Sequence, residues 1–181
     1  MAYKGVVVLD RDGTLIEEVN YLKSVEQVIL LPGAIKAIKK LNAHGFGVIV
    51  VTNQSGVGRG YFSLEDVDEV HRHLQDVLAK NDAFIDEIYC CPHHPDENCS
   101  CRKPNTGLLE RAAVEWEFAP ENCFIIGDKP CDMELGKRFG ATTVMVRTGH
   151  GKSMEEEGKS FADHTVDNVL EAVNLLLKMK N

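Results

Sequence analysis

Short apolar runs and amphipathic stretches alternate along the chain. The run GVVVLD (5–10) is apolar throughout and ends in an aspartate, which predicts a buried strand. Pro32-Gly33 then opens AIKAIKKLNAH, which places Ile35, Ile38 and Leu41 on one helical face, and Gly45 stops it. GVIVV (47–51) predicts a second buried strand. Ser63 with Asp66 three residues on forms a capping box for a helix carrying Val67, Val70, Leu74, Val77 and Leu78. FIDEIYC (84–90) predicts a third strand and TGLLERAAVEW (106–116) a helix. CFIIGD (123–128) and TTVMV (142–146) predict two more strands around a short helix near Met133–Phe139. Asp167 is placed as the cap of a last helix running to about Met179.

Helices thus alternate with strands that are apolar along their whole length. That pattern predicts an α/β fold: a three-layer, Rossmann-like parallel sheet with helices on both faces. The length suits a single domain over residues 1–181. Ligands of such a sheet bind beyond the carboxyl ends of its strands, where the strand order reverses. Asp10, Thr52, Cys90 and Asp128 fall at those ends.

A net charge of −8 argues against a nucleic-acid groove, which needs a basic face. It leaves room for a small phosphorylated ligand, which needs only a few local cations and amides. No apolar run reaches the ~20 residues that would span a bilayer, and the first residues lack the form of a signal peptide. The expectation is a cytoplasmic, monomeric protein with no membrane or nucleic-acid partner.

In LDRDGT (9–14), two carboxylates two residues apart follow a strand. Such a pair can divide labour, Asp10 as nucleophile and Asp12 as general acid and then base. VTN (51–53) offers the Thr52 hydroxyl and the Asn53 amide, and RKP (102–104) offers two cations ahead of a helix. GDKPCD (127–132) adds Asp128 and Asp132, and oxygen ligands in this number suit Mg²⁺.

CCPHHPDENCSCRKP (90–104) carries four of the six cysteines. In a reducing compartment clustered thiols bind metal rather than pair. Cys91, His93, Cys99 and Cys101 form a Cys₃His set for a structural Zn²⁺ with no open position. Cys90 is a rival for Cys91 and His94 for His93. The C-x-H step mirrors the C-x-C step, which favours His93. A metal on Cys101 would fix Arg102 and Lys103, the next two residues.

D-x-D-G-T, T-N, K-P and G-D-x-x-x-D, in this order over residues 9–132, resemble the motifs of the haloacid dehalogenase superfamily. The resemblance implies that Asp10 attacks phosphorus and becomes an aspartyl phosphate. Asp12 then protonates the leaving alcohol and activates water, and Thr52 and Lys103 hold phosphoryl oxygens. Mg²⁺ is implied on Asp10, the backbone carbonyl of Asp12, and Asp128. The Zn loop running into C-R-K-P, with TNQSGVGRGYF (52–62) and VRTGHG (146–151), resembles the D-glycero-D-manno-heptose 1,7-bisphosphate phosphatases over residues 5–151. That implies a phosphosugar substrate, removal of its 7-phosphate, and no inserted cap domain.

Histidinol-phosphate phosphatases share the aspartate motif and a similar Zn loop. The T-N-Q-S-G-x-x-R-G pattern, and Tyr21 matching a D-H-G-Y stretch, lean toward the heptose enzymes, although Glu18 and Asn20 depart from that stretch. A second phosphate also suits the cations Arg59, Arg102, Lys103 and Lys129. The expected substrate contacts are Glu18, Tyr21, Asn53, Gln54, Ser55, Arg59, Arg102 and Lys129. From a different class stands a zinc-stabilised phosphosugar-binding protein without turnover, against which the intact Asp10/Asp12 pair speaks.

Overall fold

A computed structural model describes residues 3–180. Six strands form one sheet: β1 (Val6–Leu9), β2 (Gly47–Asn53), β3 (Glu87–Cys91), β4 (Cys123–Gly127), β5 (Thr142–Val146) and β6 (His164–Val166). All neighbours pair in parallel, in the order β3-β2-β1-β4-β5-β6. The order reverses between β1 and β4, so the ends of these two strands frame the crevice that such sheets use for ligands.

The helices are α1 (Ala34–Ala43), α2 (Ser55–Gly58), α3 (Leu64–Ala79), α4 (Gly107–Glu115), α5 (Pro130–Phe139), α6 (Gly151–Glu156) and α7 (Val169–Met179). Successive strand residues point to opposite faces, so each apolar strand feeds two cores. Val7, Leu9, Val48, Val50, Phe124 and Ile126 meet residues of α1, α3 and α7, such as Ile38, Leu74 and Val173. Val6, Val8, Ile49, Val51 and Ile125 meet Leu109 and Ala112 of α4 and Leu135 of α5. Burial on both faces is why the strands read as apolar runs without alternation.

The expected strands and helices are present, with shifts of local cause. β2 extends to Asn53 because Thr52 and Asn53 pair with Cys90 and Cys91. β3 begins at Glu87 rather than at 84, since Asp86 turns its carboxylate onto the Val48 amide at 2.7 Å. Ser63 and Asp66 form the expected reciprocal cap of α3. The cap of α7 is Asn168, whose side-chain oxygen accepts from the Glu171 amide at 3.0 Å. Asp167, expected there, pairs with Arg147 at 2.7 Å instead. No inserted domain interrupts the chain between β1 and α1 or between β2 and α4; the second segment holds α2, α3, β3 and the cysteine loop.

Candidate active site

Asp10 follows β1 directly, and its backbone amide donates to the Ile126 carbonyl of β4 at 3.0 Å. Asp128 follows β4. The two central strands therefore deliver two buried carboxylates to one point, and Asp132 joins them from the first turn of α5. Oxygens of Asp10, Asp128 and Asp132 lie within 4.8 Å of one another.

Three acids this close need cations. Lys103 Nζ sits 2.8 Å from Asp10 Oδ1, 2.7 Å from Asp132 Oδ1 and 2.7 Å from the Val51 carbonyl. An ammonium has three protons, and these three acceptors can use all of them. Burial works to raise the Asp10 pKa, but Lys103 and then Lys129 outweigh it and hold the carboxyl below its ordinary range. Burial likewise works to lower the Lys103 pKa, and Asp10 and Asp132 drive it up. Asp10 is thus an ionised carboxylate beside a charged lysine.

Asp128 is different. Burial, then the charge of Asp10, pushes its pKa up to about 8. Its Oδ2 accepts from the His150 amide at 2.8 Å, whereas its buried Oδ1 has no hydrogen-bond partner among the described residues, Lys129 Nζ standing 4.0 Å away. An orphaned buried carboxylate oxygen next to an ionised one is what a hard divalent cation would satisfy. The donor set therefore fits Mg²⁺. Two glycines make room for this carboxylate. A Cβ on Gly13 (φ +85°) would stand 2.3 Å from Asp128 Oδ2, and one on Gly149 (φ +54°) would stand 2.2 Å away.

Asp12 faces a cleft of about 200 Å³ that Glu18, Tyr21, Asn53, Gln54, Ser55 and Lys129 also line. Lys129 Nζ lies 2.6 Å from Glu18 Oε2, 3.8 Å from Asp10 Oδ2 and 3.5 Å from the Asp12 carbonyl. Tyr21 (φ +57°) meets Tyr61 edge to face at 4.7 Å. His150 approaches Glu18 at 3.7 Å.

Several expected substrate contacts are committed elsewhere. Asn53 clamps the Lys103 backbone, accepting from its amide at 3.0 Å and donating to its carbonyl at 3.2 Å. Gln54 Nε2 donates to Asp12 Oδ2 at 2.9 Å and to Thr52 Oγ1 at 2.8 Å. Arg59 is exposed at the end of α2, outside the residues lining the cleft, because Gly60 (φ +73°) turns the chain there. Arg102 lines an adjacent hollow with Pro95, Asn98, Cys99 and Asn105, and its buried Nη1 has no partner among the described residues.

Cys91, His93, Cys99 and Cys101 converge, their ligand atoms within 4.8 Å of one another. Cys101 Sγ lies 3.2 Å from Cys91 Sγ, 3.3 Å from Cys99 Sγ and 3.0 Å from His93 Nδ1. Zn–S bonds of about 2.3 Å give a tetrahedral edge of about 3.8 Å, so a small expansion accommodates the ion. Burial opposes ionisation of Cys99, but bonds from Cys101 and Cys91 bring its pKa down to about 7. The rivals are placed apart. His94 caps a short turn, its Nδ1 accepting from the Asp96 amide at 3.2 Å, and Cys90 is half-buried outside the cluster.

Arg11, between Asp10 and Asp12, is a residue to which the motif reading assigns no role. Its side chain is buried, bonded to Asp12 and to His71. The sequence offered one signal for it, a cation set between two acids just past a strand end, where it can pair with either. Asp132, noted without a role, holds Lys103.

Comparison with known proteins agrees with this geometry. The HAD-hydrolase-like family model matches residues 100–172. The D-glycero-beta-D-manno-heptose-1,7-bisphosphate 7-phosphatase of Pasteurella multocida is 36% identical over 187 residues, 98% of this chain and all of that protein. The histidine biosynthesis bifunctional protein HisB of Legionella pneumophila is 38% identical over 149 residues, 81% of this chain and 42% of that one. The crystal structure of D,D-heptose 1,7-bisphosphate phosphatase from B. bronchiseptica, complexed with magnesium and phosphate, superimposes with a TM-score of 0.91 at 29% identity, covering 97% of this chain and 99% of that one. With its relatives, its sheet order and its strand-end carboxylates in agreement, this chain belongs to the haloacid dehalogenase superfamily of hydrolases.

Proposed function

We propose that this protein is a Mg²⁺-dependent phosphoric monoester hydrolase that removes the 7-phosphate of D-glycero-D-manno-heptose 1,7-bisphosphate through an aspartyl phosphate on Asp10. The observation that carries the reading is Asp10 itself, an ionised carboxylate gripped by Lys103 at the end of the central strand, beside the orphaned oxygen of Asp128. The phosphosugar assignment comes from the full-length similarity to heptose bisphosphate phosphatases.

Asp10, the Asp12 carbonyl and Asp128 would hold Mg²⁺, which would supply charge neutralisation for the phosphoryl oxygens. Asp10 attacks phosphorus as the ester P–O bond breaks, and the leaving alkoxide takes a proton from the Asp12 carboxyl. Water then attacks phosphorus, Asp12 accepts its proton, and the bond to Asp10 breaks to release phosphate. Thr52 holds a phosphoryl oxygen through both steps, and Lys103 turns the proton it gives Asp10 to a phosphoryl oxygen once the Asp10 carboxylate bonds to phosphorus. Glu18, Tyr21, Ser55 and Lys129 line the cleft that receives the sugar, and the outlying Arg59 and Arg102 take no part in gripping the reacting phosphate. Cys91, His93, Cys99 and Cys101 would hold a Zn²⁺ that would brace the loop carrying Lys103. No helix among the described residues is long and apolar enough to cross a membrane, and a cytoplasmic monomer completes this reading.

The relatedness to HisB gives histidinol phosphate as the second reading. Steady-state kcat/KM for the heptose bisphosphate and for histidinol phosphate, on wild type and Asp10→Asn, tests both. The heptose ester should win by tenfold or more, about 1.4 kcal/mol in transition-state binding, and Asp10→Asn should be inactive. A win for histidinol phosphate reverses the assignment, and an active Asp10→Asn ends the aspartyl-phosphate reading.

A further inference from the structure

Arg11 is among the largest fully buried side chains of the protein. A guanidinium out of water is costly unless its protons are matched. Two groups of this one are matched to Asp12: Nε donates to Oδ2 at 3.1 Å, and Nη2 donates to Oδ1 at 3.0 Å while standing 3.0 Å from Oδ2 as well. The third group, Nη1, lies 3.1 Å from His71 Nε2 on α3. A guanidinium carries donors only, so His71 Nε2 must accept, and the ring proton sits on Nδ1. His71 is itself buried, and that burial, followed by the charge of Arg11, brings its pKa down to about 3, in keeping with a neutral ring.

The arrangement has a consequence for proton transfer. A carboxylate offers about four acceptor directions. Arg11 takes one on each oxygen, and Gln54 takes a second on Oδ2. One direction on Oδ1 is left. A planar fork fixes both the place and the plane of the carboxylate it holds, so that remaining direction is fixed as well.

We infer that Arg11 and His71 are positioning residues for the general acid–base Asp12: Arg11 clamps its carboxylate from behind and His71 braces Arg11, leaving one Oδ1 lone pair to exchange the proton with the leaving group and then with water. Neither residue touches substrate. The inference rests on the proposed role of Asp12 and names the two side chains that set it.

The test compares kcat/KM for an alkyl ester, the heptose bisphosphate, with that for p-nitrophenyl phosphate, whose leaving group needs no proton. This parameter reports the steps up to departure of the leaving group, so hydrolysis of the aspartyl phosphate does not enter. Asp12→Asn calibrates the assay: a loss confined to the alkyl ester supports the general-acid role, and equal losses refute that role and this inference with it. Given that calibration, His71→Leu should lower kcat/KM about tenfold or more on the alkyl ester and less than about threefold on the aryl ester. His71→Gln, whose amide oxygen again accepts from Arg11, should return the alkyl value to within about threefold of wild type. Equal losses on both esters with His71→Leu, or no loss, overturn the proposal while leaving the role of Asp12 intact. Should His71→Leu fail to fold by thermal melting, Arg11→Lys, which keeps the charge and loses the fork, is read by the same ratio and decides the matter.

Discussion

Lys103 Nζ stands 2.7 Å from Asp132 Oδ1 and 2.8 Å from Asp10 Oδ1, so one buried ammonium joins the strand-end carboxylate to one on the first turn of α5. Asp132 also accepts from the Lys129 amide at 3.1 Å, tying the pair to the start of α5. Asp132→Asn should loosen Lys103 and lower kcat/KM by about 10–100-fold, with a loss of stability up to the ~3–5 kcal/mol seen when a buried pair loses one member. Kinetics and urea denaturation on the one variant check both figures.

Binding of Mg²⁺ should release a proton. Without the ion, the Asp128 pKa of about 8 leaves its carboxyl largely protonated at pH 7. The apparent Mg²⁺ affinity should therefore rise by up to tenfold per pH unit to about pH 8 and level off above it. Calorimetric titration at pH 7 in buffers of different ionisation enthalpy should count close to one proton released per ion.

Cys99→Ser should bind little or no Zn²⁺ by metal analysis, since a serine hydroxyl is a poor replacement for a thiolate ligand. Because Cys101 and Lys103 are two residues apart, kcat/KM should fall as well, though Cys99 is far in the chain from Asp10 and Asp12. Full Zn²⁺ content in this variant would refute the ligand set.

Gly13→Ala meets two obstacles. Its φ of +85° is left-handed, a cost of about 1–2 kcal/mol for a residue with a Cβ, and that Cβ would collide with Asp128 Oδ2. The variant should be destabilised by about 2 kcal/mol or more and should bind Mg²⁺ more weakly, both readable in thermal melts with and without the ion.

His71 should make the fold acid-sensitive. Its folded pKa, about 3, lies below the value of about 6.5 expected when unfolded, so the unfolded chain binds the extra proton first. The group has no effect above about pH 6.5. Below that, stability falls by up to ~1.4 kcal/mol per pH unit until the folded pKa is reached. Urea denaturation at pH 7, 6 and 5 should show a steeper decline for wild type than for His71→Gln.

The sheet and the strand-end acids were legible because each buried strand is an apolar run cut off by a polar residue. Asp10 and Asp128 stand out against Val6–Leu9 and Cys123–Gly127. The cysteine loop was legible from ligand spacing alone. β6 was not, since its three residues are only half-buried and pair along one edge. Nor were α2 and α6, which are one or two turns long and rich in glycine or glutamate. Side-chain directions in loops were the other gap. Arg59 and Arg102 carry the right charge for phosphate but are not among the residues lining the cleft, while Arg11, set between two acids, is buried against His71, some sixty positions away.

β1 and β4 are the innermost pair of the sheet, each flanked on both sides. Their amides should therefore exchange with deuterium only when the entire molecule opens, whereas β6 and the acidic stretch before it should exchange through local fraying. Asp10 and Asp128 are thus anchored in the last part of the protein to come apart. Inactivation by heat or denaturant should track global melting, with no dead but folded species accumulating first.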